Sequence, residues 1–415
     1  MLWAAKRLNR TVSWRSTRNE AMQSDFQGRD NFVHGELALD QGGHMLAVRV
    51  KTIGNLGAYL SLNTPHPPTA NIGGIAGPYS IAAAHAEITG VHTHTPPTAP
   101  YRGAGRPEAT YIIERLVDAA AHELGIDPVN IRRRNLLTPD ALPHQTPFGQ
   151  TYDCGDFPAV LERAATESDW KGFNVRRANS AARGLLRGRG IIYSIEIAGG
   201  PQGAHMPESL AIRFDESGSL TLSAGSKDMG TGHGTAYRQI LCDRLGVEPD
   251  EIHFVDGDTG VVERGTGSFG SRTMVAGGSA AMKAADRVIE RGKPLAAKSL
   301  EAAEIDIEFS SGTFRIVGTD KQVSLRELAS LNSASLSLSI TEKADGPTFP
   351  NGCHVCEVEI DPETGITRLD RYTLIDDVGT VINPLIMKGQ MHGGIAQGAG
   401  QALMEEIVFD DSKRL

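Results

Sequence analysis

The chain has 415 residues, enough for two or three domains and a large core, and its balance of 40% hydrophobic to 22% charged residues is that of a globular protein. A net charge of −9 argues against a general nucleic-acid binder, and four cysteines (Cys154, Cys242, Cys353, Cys356) set up no disulfide framework and fit a reducing, cytoplasmic compartment. No apolar run approaches the ~18 residues of a membrane helix, and Met1–Leu8 has no apolar signal-peptide core.

In chain order, Leu2 to Leu8 reads as the tail of a helix already under way, and Val12 to Trp14 as a short strand. Glu36–Asp40 and Met45–Ile53 read as a hairpin across Gln41-Gly-Gly43. The stretch Pro100-Tyr-Arg-Gly-Ala-Gly-Arg-Pro-Glu108 places two arginines around small residues, which let a ligand approach the backbone. A helix follows: Pro107 suits its first turn, Glu108 meets the positive end of its dipole, and Gly125 stops it. Its apolar stripe is Ala109, Ile112, Ile113, Leu116, Val117, Ala120 and Leu124. Asp127 caps a second helix to Leu136, and Phe157 to Ala165 forms a third. The arginine-rich stretch that follows (Arg176, Arg177, Arg183, Arg187, Arg189) reads as solvated surface. A domain boundary is placed near residues 170–185, giving domains 1–175 and 176–415.

The second half alternates strands, glycine loops and helices. Leu210–Asp215 with Leu220–Ser223, and Val355–Asp361 with Ile366–Leu369, repeat the glycine-turn hairpin, so related β-α units occur more than once. Lys227–Gly234 precedes a helix over 235–245, and Arg264–Arg272 precedes one over 274–291. Gly389 to Gln401 is expected to begin a helix that carries five glycines. Three glycine loops at three helix starts offer free N–H groups to an anion. Gly265-Thr-Gly-Ser-Phe-Gly270 is no dinucleotide fingerprint, because no strand directly precedes it and a helix occupies the region where the acidic residue belongs. Cys353-His-Val-Cys356 is a lone pair without a second pair, and reads as core cysteines. His144, His233 and His392 lie in or near loops as candidate polar contacts, and no metal site is assigned.

Taken in order, Ala99–Glu108, the Asp-Met-Gly-Thr-Gly-His loop, Gly265–Arg272, and Asp377-Val-Gly-Thr-Val-Ile-Asn-Pro384 with Gly389–Gln401 resemble the large subunit of the molybdenum hydroxylases. That family comprises xanthine dehydrogenase, aldehyde oxidase and aerobic carbon monoxide dehydrogenase. The Tyr-Arg-Gly-Ala-Gly-Arg form looks like the form II carbon-monoxide-dehydrogenase-like group. Form I enzymes carry a copper-holding cysteine in this loop; here Gly103-Ala104-Gly105 argues against copper-dependent oxidation of carbon monoxide.

The resemblance implies an α+β fold of two related mixed α/β molybdopterin-binding domains with hairpin-rich sheets. It implies that Arg102 projects toward substrate and that Gly103 and Ala104 line the pocket. It assigns the cofactor to Met229, Gly230, Thr231, Gly232, Gly267, Ser268, Phe269, Gly270, Ser271 and Gln397. Thr231 stands where the family usually carries glutamine. The implied cofactor is molybdenum-molybdopterin, with a cytosine dinucleotide as one form, held by the cofactor's own dithiolene, so no protein ligand to the metal is expected. The implied activity is hydroxylation of an aldehyde or N-heterocycle with water as oxygen source. Electrons would leave through 2Fe-2S and FAD on small and medium partner subunits, in a dimer of heterotrimers. The family's first glycine-rich loop and its catalytic glutamate are not found among these residues, so a central fragment of a longer subunit is expected. A catalytically inactive remnant that binds partner subunits, form II-like oxidation and a free-nucleotide binder are the alternatives.

Overall fold

The computed structural model describes residues 1–408 apart from 62, 71 and 201–205; most of the strand expected beyond Glu406 lies outside them. The chain divides into two compact units. Residues 1–195, 351–376 and 399–415 form one, and 196–350 with 377–398 form the other.

In the first unit, strands Asn31–Leu39 and Met45–Gly57 pair antiparallel as the hairpin pattern predicts, and Ala83–His92 adds in parallel to the second of them. The helix Arg106–Leu124 lies against this sheet; a Cβ at Gly35 would sit 3.1 Å from Leu116 Cδ1, so the glycine admits the helix closely. Gly105 and Gly125 flank the helix in left-handed conformation, and Ile112, Ile113 and Val117 fill the core. Leu124 is 39% exposed, at the end of the expected stripe, whereas the charged Glu114 is buried. Glu114 is held there by Arg132 from the next helix, Pro128–Asn135 (Nη2–Oε2 2.7 Å), and by the Tyr79 hydroxyl at 2.5 Å.

A second sheet of this unit runs Thr367–Asp377, Asn351–Ile360, Leu186–Ile195. Phe157 from the helix Phe157–Glu167 meets Tyr193 edge-on, with ring centroids 5.9 Å apart. The arginine run is only in part the solvated surface expected from its sequence: Arg177 and Arg183 are exposed, whereas Arg176, Arg187 and Arg189 are drawn inward. Arg176 and Arg187 both pair with Glu357, Arg187 also reaches Glu359 and Asp370, and Arg189 stacks 3.4 Å over the Trp170 ring. Glu357, Glu359 and Asp370 stand more than 150 positions later in the chain, beyond any local pattern, while Arg176 also pairs with the nearby Asp169. The expected strand at Val12–Trp14 carries no regular structure.

The second unit is built on a four-stranded sheet in the order Leu338–Glu342, Glu208–Phe214, Leu220–Ala224, Ile252–Asp256. The last pair is parallel and the others antiparallel, so this is not a doubly wound sheet. The helices His233–Leu245, Ser279–Leu300 and Leu325–Leu336 share its core. Ser279–Leu300 buries a face of Ala280, Ala281, Ala284, Ala285, Val288 and Ala296, whose small side chains let the helix approach closely. Gly292 continues that face: a Cβ there would lie 2.2 Å from Phe314 Cζ. A π-helical turn, Thr273–Gly278, precedes it, so the expected helix at 274 begins with a widened turn and continues through Pro294.

Candidate functional site

Two of the glycine loops come together in the second unit. The sheet strand Leu220–Ala224 delivers Gly225, which passes backbone to backbone against the second loop. A Cβ on Gly225 would lie 2.6 Å from Arg264 O, and one on Gly265 would lie 2.5 Å from Gly225 O, so only glycine fits at this crossing. Arg272, fully buried, fixes the second loop from inside. Its guanidinium donates to Glu208 Oε2 (2.8 Å), Pro207 O (3.1 Å), Thr266 Oγ1 (2.5 Å) and Gly267 O (2.6 Å). Burial still pushes the Glu208 carboxyl above its usual range, with Arg272 acting against that shift.

The first loop has an anion of its own. Asp228 Oδ1 accepts from the amides of Gly230 (2.9 Å), Thr231 (2.9 Å) and Gly232 (3.2 Å), and Oδ2 accepts from Gly234 at 3.4 Å. The free N–H groups expected at this helix start are therefore taken by a carboxylate two to six residues upstream, in the manner of an Asx turn. Burial raises the Asp228 carboxyl, and the four amides outweigh that and hold it below its usual range. The third expected loop is not at a helix start at all: Gly389 to Gln401 lie inside the helix Pro384–Leu403, whose own ladder uses their amides.

Between the first two loops stands His233. Its Nε2 lies 2.9 Å from Thr231 Oγ1 and its Nδ1 3.4 Å from Ser268 Oγ, while Ser268 Oγ donates to Lys227 O at 2.7 Å. Burial keeps the imidazole below its usual range, against the pull of Asp228 and Asp256. Met229, Gly230, Thr231 and Gly232 thus share one place with Gly267, Ser268, Phe269, Gly270 and Ser271. The outer surface of both loops is open: nothing lies within 4 Å of a Cβ built on Gly230 or Gly267, and Met229 and Phe269 are 67% and 41% exposed. Left-handed backbone at Gly230, Gly232, Gly267, Gly270 and Ser271 turns the chain sharply enough to present that surface. Gln397 lies on the helix Pro384–Leu403, whose first turn seats Ile386 against Gly232 and whose preceding Asn383 bonds Gln239 at 3.1 Å.

In the first unit, Tyr101–Arg106 forms consecutive left-handed turns at Gly103, Ala104 and Gly105. Arg29, itself at a φ of 52°, donates through Nη2 to Arg102 O and lies 4.9 Å from the centroid of the Tyr101 ring. The two flanking arginines differ: Arg102 is exposed, whereas Arg106 is buried. Sequence reasoning missed Asp228, Arg272 with Glu208, and Arg29 as the residues that set loop shape. Only Asp228 carried a signal, an aspartate two residues before the first of several glycines.

Residues 163–415 match the model of a molybdopterin cofactor-binding domain, and residues 1–136 match a second model of the same description. The chain belongs to the molybdopterin cofactor-binding domain family. Similar proteins include the 6-hydroxypseudooxynicotine dehydrogenase complex subunit gamma of Paenarthrobacter nicotinovorans, 33% identical over 99% of this chain and 53% of the relative. The carbon monoxide dehydrogenase large chain of Hydrogenophaga pseudoflava is 33% identical over 97% of this chain and 53% of that one. The crystal structure of quinoline 2-oxidoreductase from Pseudomonas putida 86 superposes with a TM-score of 0.91 at 31% identity, over the whole of this chain and 55% of that one. This molybdopterin-binding chain spans about half the length of the curated relatives it matches. The family resemblance read from the loop motifs and the mixed α/β fold with its hairpins both hold. Among the described residues, no helix is long and apolar enough to cross a membrane.

Proposed function

We propose that this chain is the molybdopterin-binding part of an oxidoreductase large subunit that hydroxylates an aldehyde or N-heterocycle, with water as oxygen source. The observation that carries the reading is the pair of loops crossing at Gly225 and Gly265, which turns the open backbone of Gly230 and Gly267 outward. Backbone without side chains suits a flat ring system and its phosphate arm. Relatives named nicotine 6-hydroxylase and xanthine dehydrogenase support an N-heterocyclic substrate. The absence of cysteine at Gly103-Ala104-Gly105 favours this over oxidation of carbon monoxide. Two molybdopterin-binding domains, 1–175 and 176–415, are supported by the two matched models.

When bound, molybdenum-molybdopterin would supply the oxidising centre and accept two electrons from the substrate. Met229, Gly230, Thr231, Gly232, Gly267, Ser268, Phe269, Gly270, Ser271 and Gln397 would hold the cofactor, and Arg102, with Gly103 and Ala104 as pocket wall, would orient the substrate. Partner subunits bearing 2Fe-2S and FAD, in a cytoplasmic dimer of heterotrimers, would carry the electrons away. Metal analysis and oxidised-pterin fluorescence on the full chain, purified from a host that makes the cofactor, test this: about one molybdenum per chain is expected, and none refutes it. A non-catalytic remnant is the second reading, favoured by the way Asp228 satisfies its own loop; the same measurement decides between them.

A further inference from the structure

We infer that His233 is a positioning residue that accepts a hydrogen bond from the Thr231 hydroxyl on a bare Nε2, leaving the Thr231 oxygen as a hydrogen-bond acceptor toward the ligand face of the loop. The direction follows from the other end of the ring. The Lys227 carbonyl can only accept, and Ser268 Oγ gives it its proton at 2.7 Å. Ser268 Oγ therefore faces His233 Nδ1 as an acceptor, and Nδ1 must carry the hydrogen. A neutral imidazole with hydrogen on Nδ1 has no hydrogen on Nε2. Thr231 Oγ1, 2.9 Å from Nε2, must then donate to it, and does so in preference to Asp228 Oδ1 at 3.4 Å. One proton order thus runs from Thr231 to His233, from His233 to Ser268 and from Ser268 to Lys227, linking the two loops.

A hydroxyl whose hydrogen is committed offers only lone pairs to a ligand. Residue 231 would accordingly select a ring N–H or amino group and reject a carbonyl oxygen at that point. This ligand preference rests on the cofactor reading above; the proton order does not. The test is a long-range proton–nitrogen correlation spectrum of the full chain labelled with ¹⁵N-histidine, with His233→Gln identifying the signal. Should that variant not fold, the signal is the one whose Nδ1 resonance moves in Ser268→Ala. We expect the Nδ1–H tautomer near pH 7.5 and a downfield move of the Nε2 resonance in Thr231→Val. An Nε2–H tautomer, or an Nε2 resonance identical in Thr231→Val, overturns the proposal. In a chain that carries molybdenum, Thr231→Val should retain cofactor about fivefold less tightly while Thr231→Ser retains it, the effect of one hydrogen bond of ~1 kcal/mol; equal retention by both overturns the ligand preference. A wild-type chain without molybdenum refutes the functional reading and leaves the tautomer result standing.

Discussion

Two of the residues that shape the site are charged groups buried against each other, and each makes a measurable demand. Arg272 and Glu208 are 0% and 1% exposed, so removing one strands the other. Arg272→Met should cost about 3–5 kcal/mol in chemical denaturation, and the double change Arg272→Met with Glu208→Leu should recover most of it. His354 shows the same tension in the first unit. Its Nδ1 bonds the Tyr372 hydroxyl at 2.8 Å, and burial lowers its pKa from 6.5 to about 4, outweighing the Asp376 carboxylate 4.0 Å from Nε2. Because the folded state resists protonation while the unfolded chain takes a proton below pH 6.5, the contribution of this residue to stability should fall as pH drops from about 6.5 to about 4 and change no further below that. The loss is on the order of 3 kcal/mol. Urea midpoints of wild type and His354→Gln across that window check it: the variant should lose this slope. Such groups were hard to see in the sequence because a buried histidine or arginine looks like an exposed one until its partner is known.

Among the elements, legibility followed distance along the chain. The helix Arg106–Leu124 announced itself through a proline, a glycine stop and apolar spacing, and all three hairpins through their glycine turns; each signal is local. The parallel strand Ala83–His92 went unread because its alternation is half polar and its partner lies across a crossover. The helix Pro384–Leu403 was read from its glycines but started five residues late, because Pro384 rather than Gly389 opens it. None of its residues is buried, and a Cβ on Gly389 or Gly398 meets nothing within 4 Å. Gly389→Ala and Gly398→Ala should therefore each stabilise this chain by up to ~1 kcal/mol, read as a rise in melting temperature. A drop in melting temperature would show that these glycines are packed in solution. Amide exchange should also be faster along this helix than along Arg106–Leu124.

At the scale of the whole molecule, the two matched models lie end to end in sequence, but the compact units do not. Residues 196–350 interrupt the first unit, whose second sheet is completed only when Asn351–Ile360 pairs with Leu186–Ile195. A truncated chain of residues 1–195 should therefore fail to fold. It keeps Arg176 and Arg187 but loses Glu357 and Glu359, and it leaves a ten-residue strand without its pairing partner. Limited proteolysis should degrade it, whereas co-expressing residues 345–380 as a separate peptide should restore protection. No reading of sequence order could have shown this, since the division of a chain into folded bodies is fixed by which strands meet.

That late closure has a consequence for the cell. As the ribosome releases this chain from its amino end, the strand Leu186–Ile195 emerges with an open edge and must wait through the synthesis of everything up to residue 360. During that interval the nascent polypeptide is a template for unwanted strand addition, so slow translation or scarce chaperone capacity should lower its yield well before any change in the finished protein could be detected.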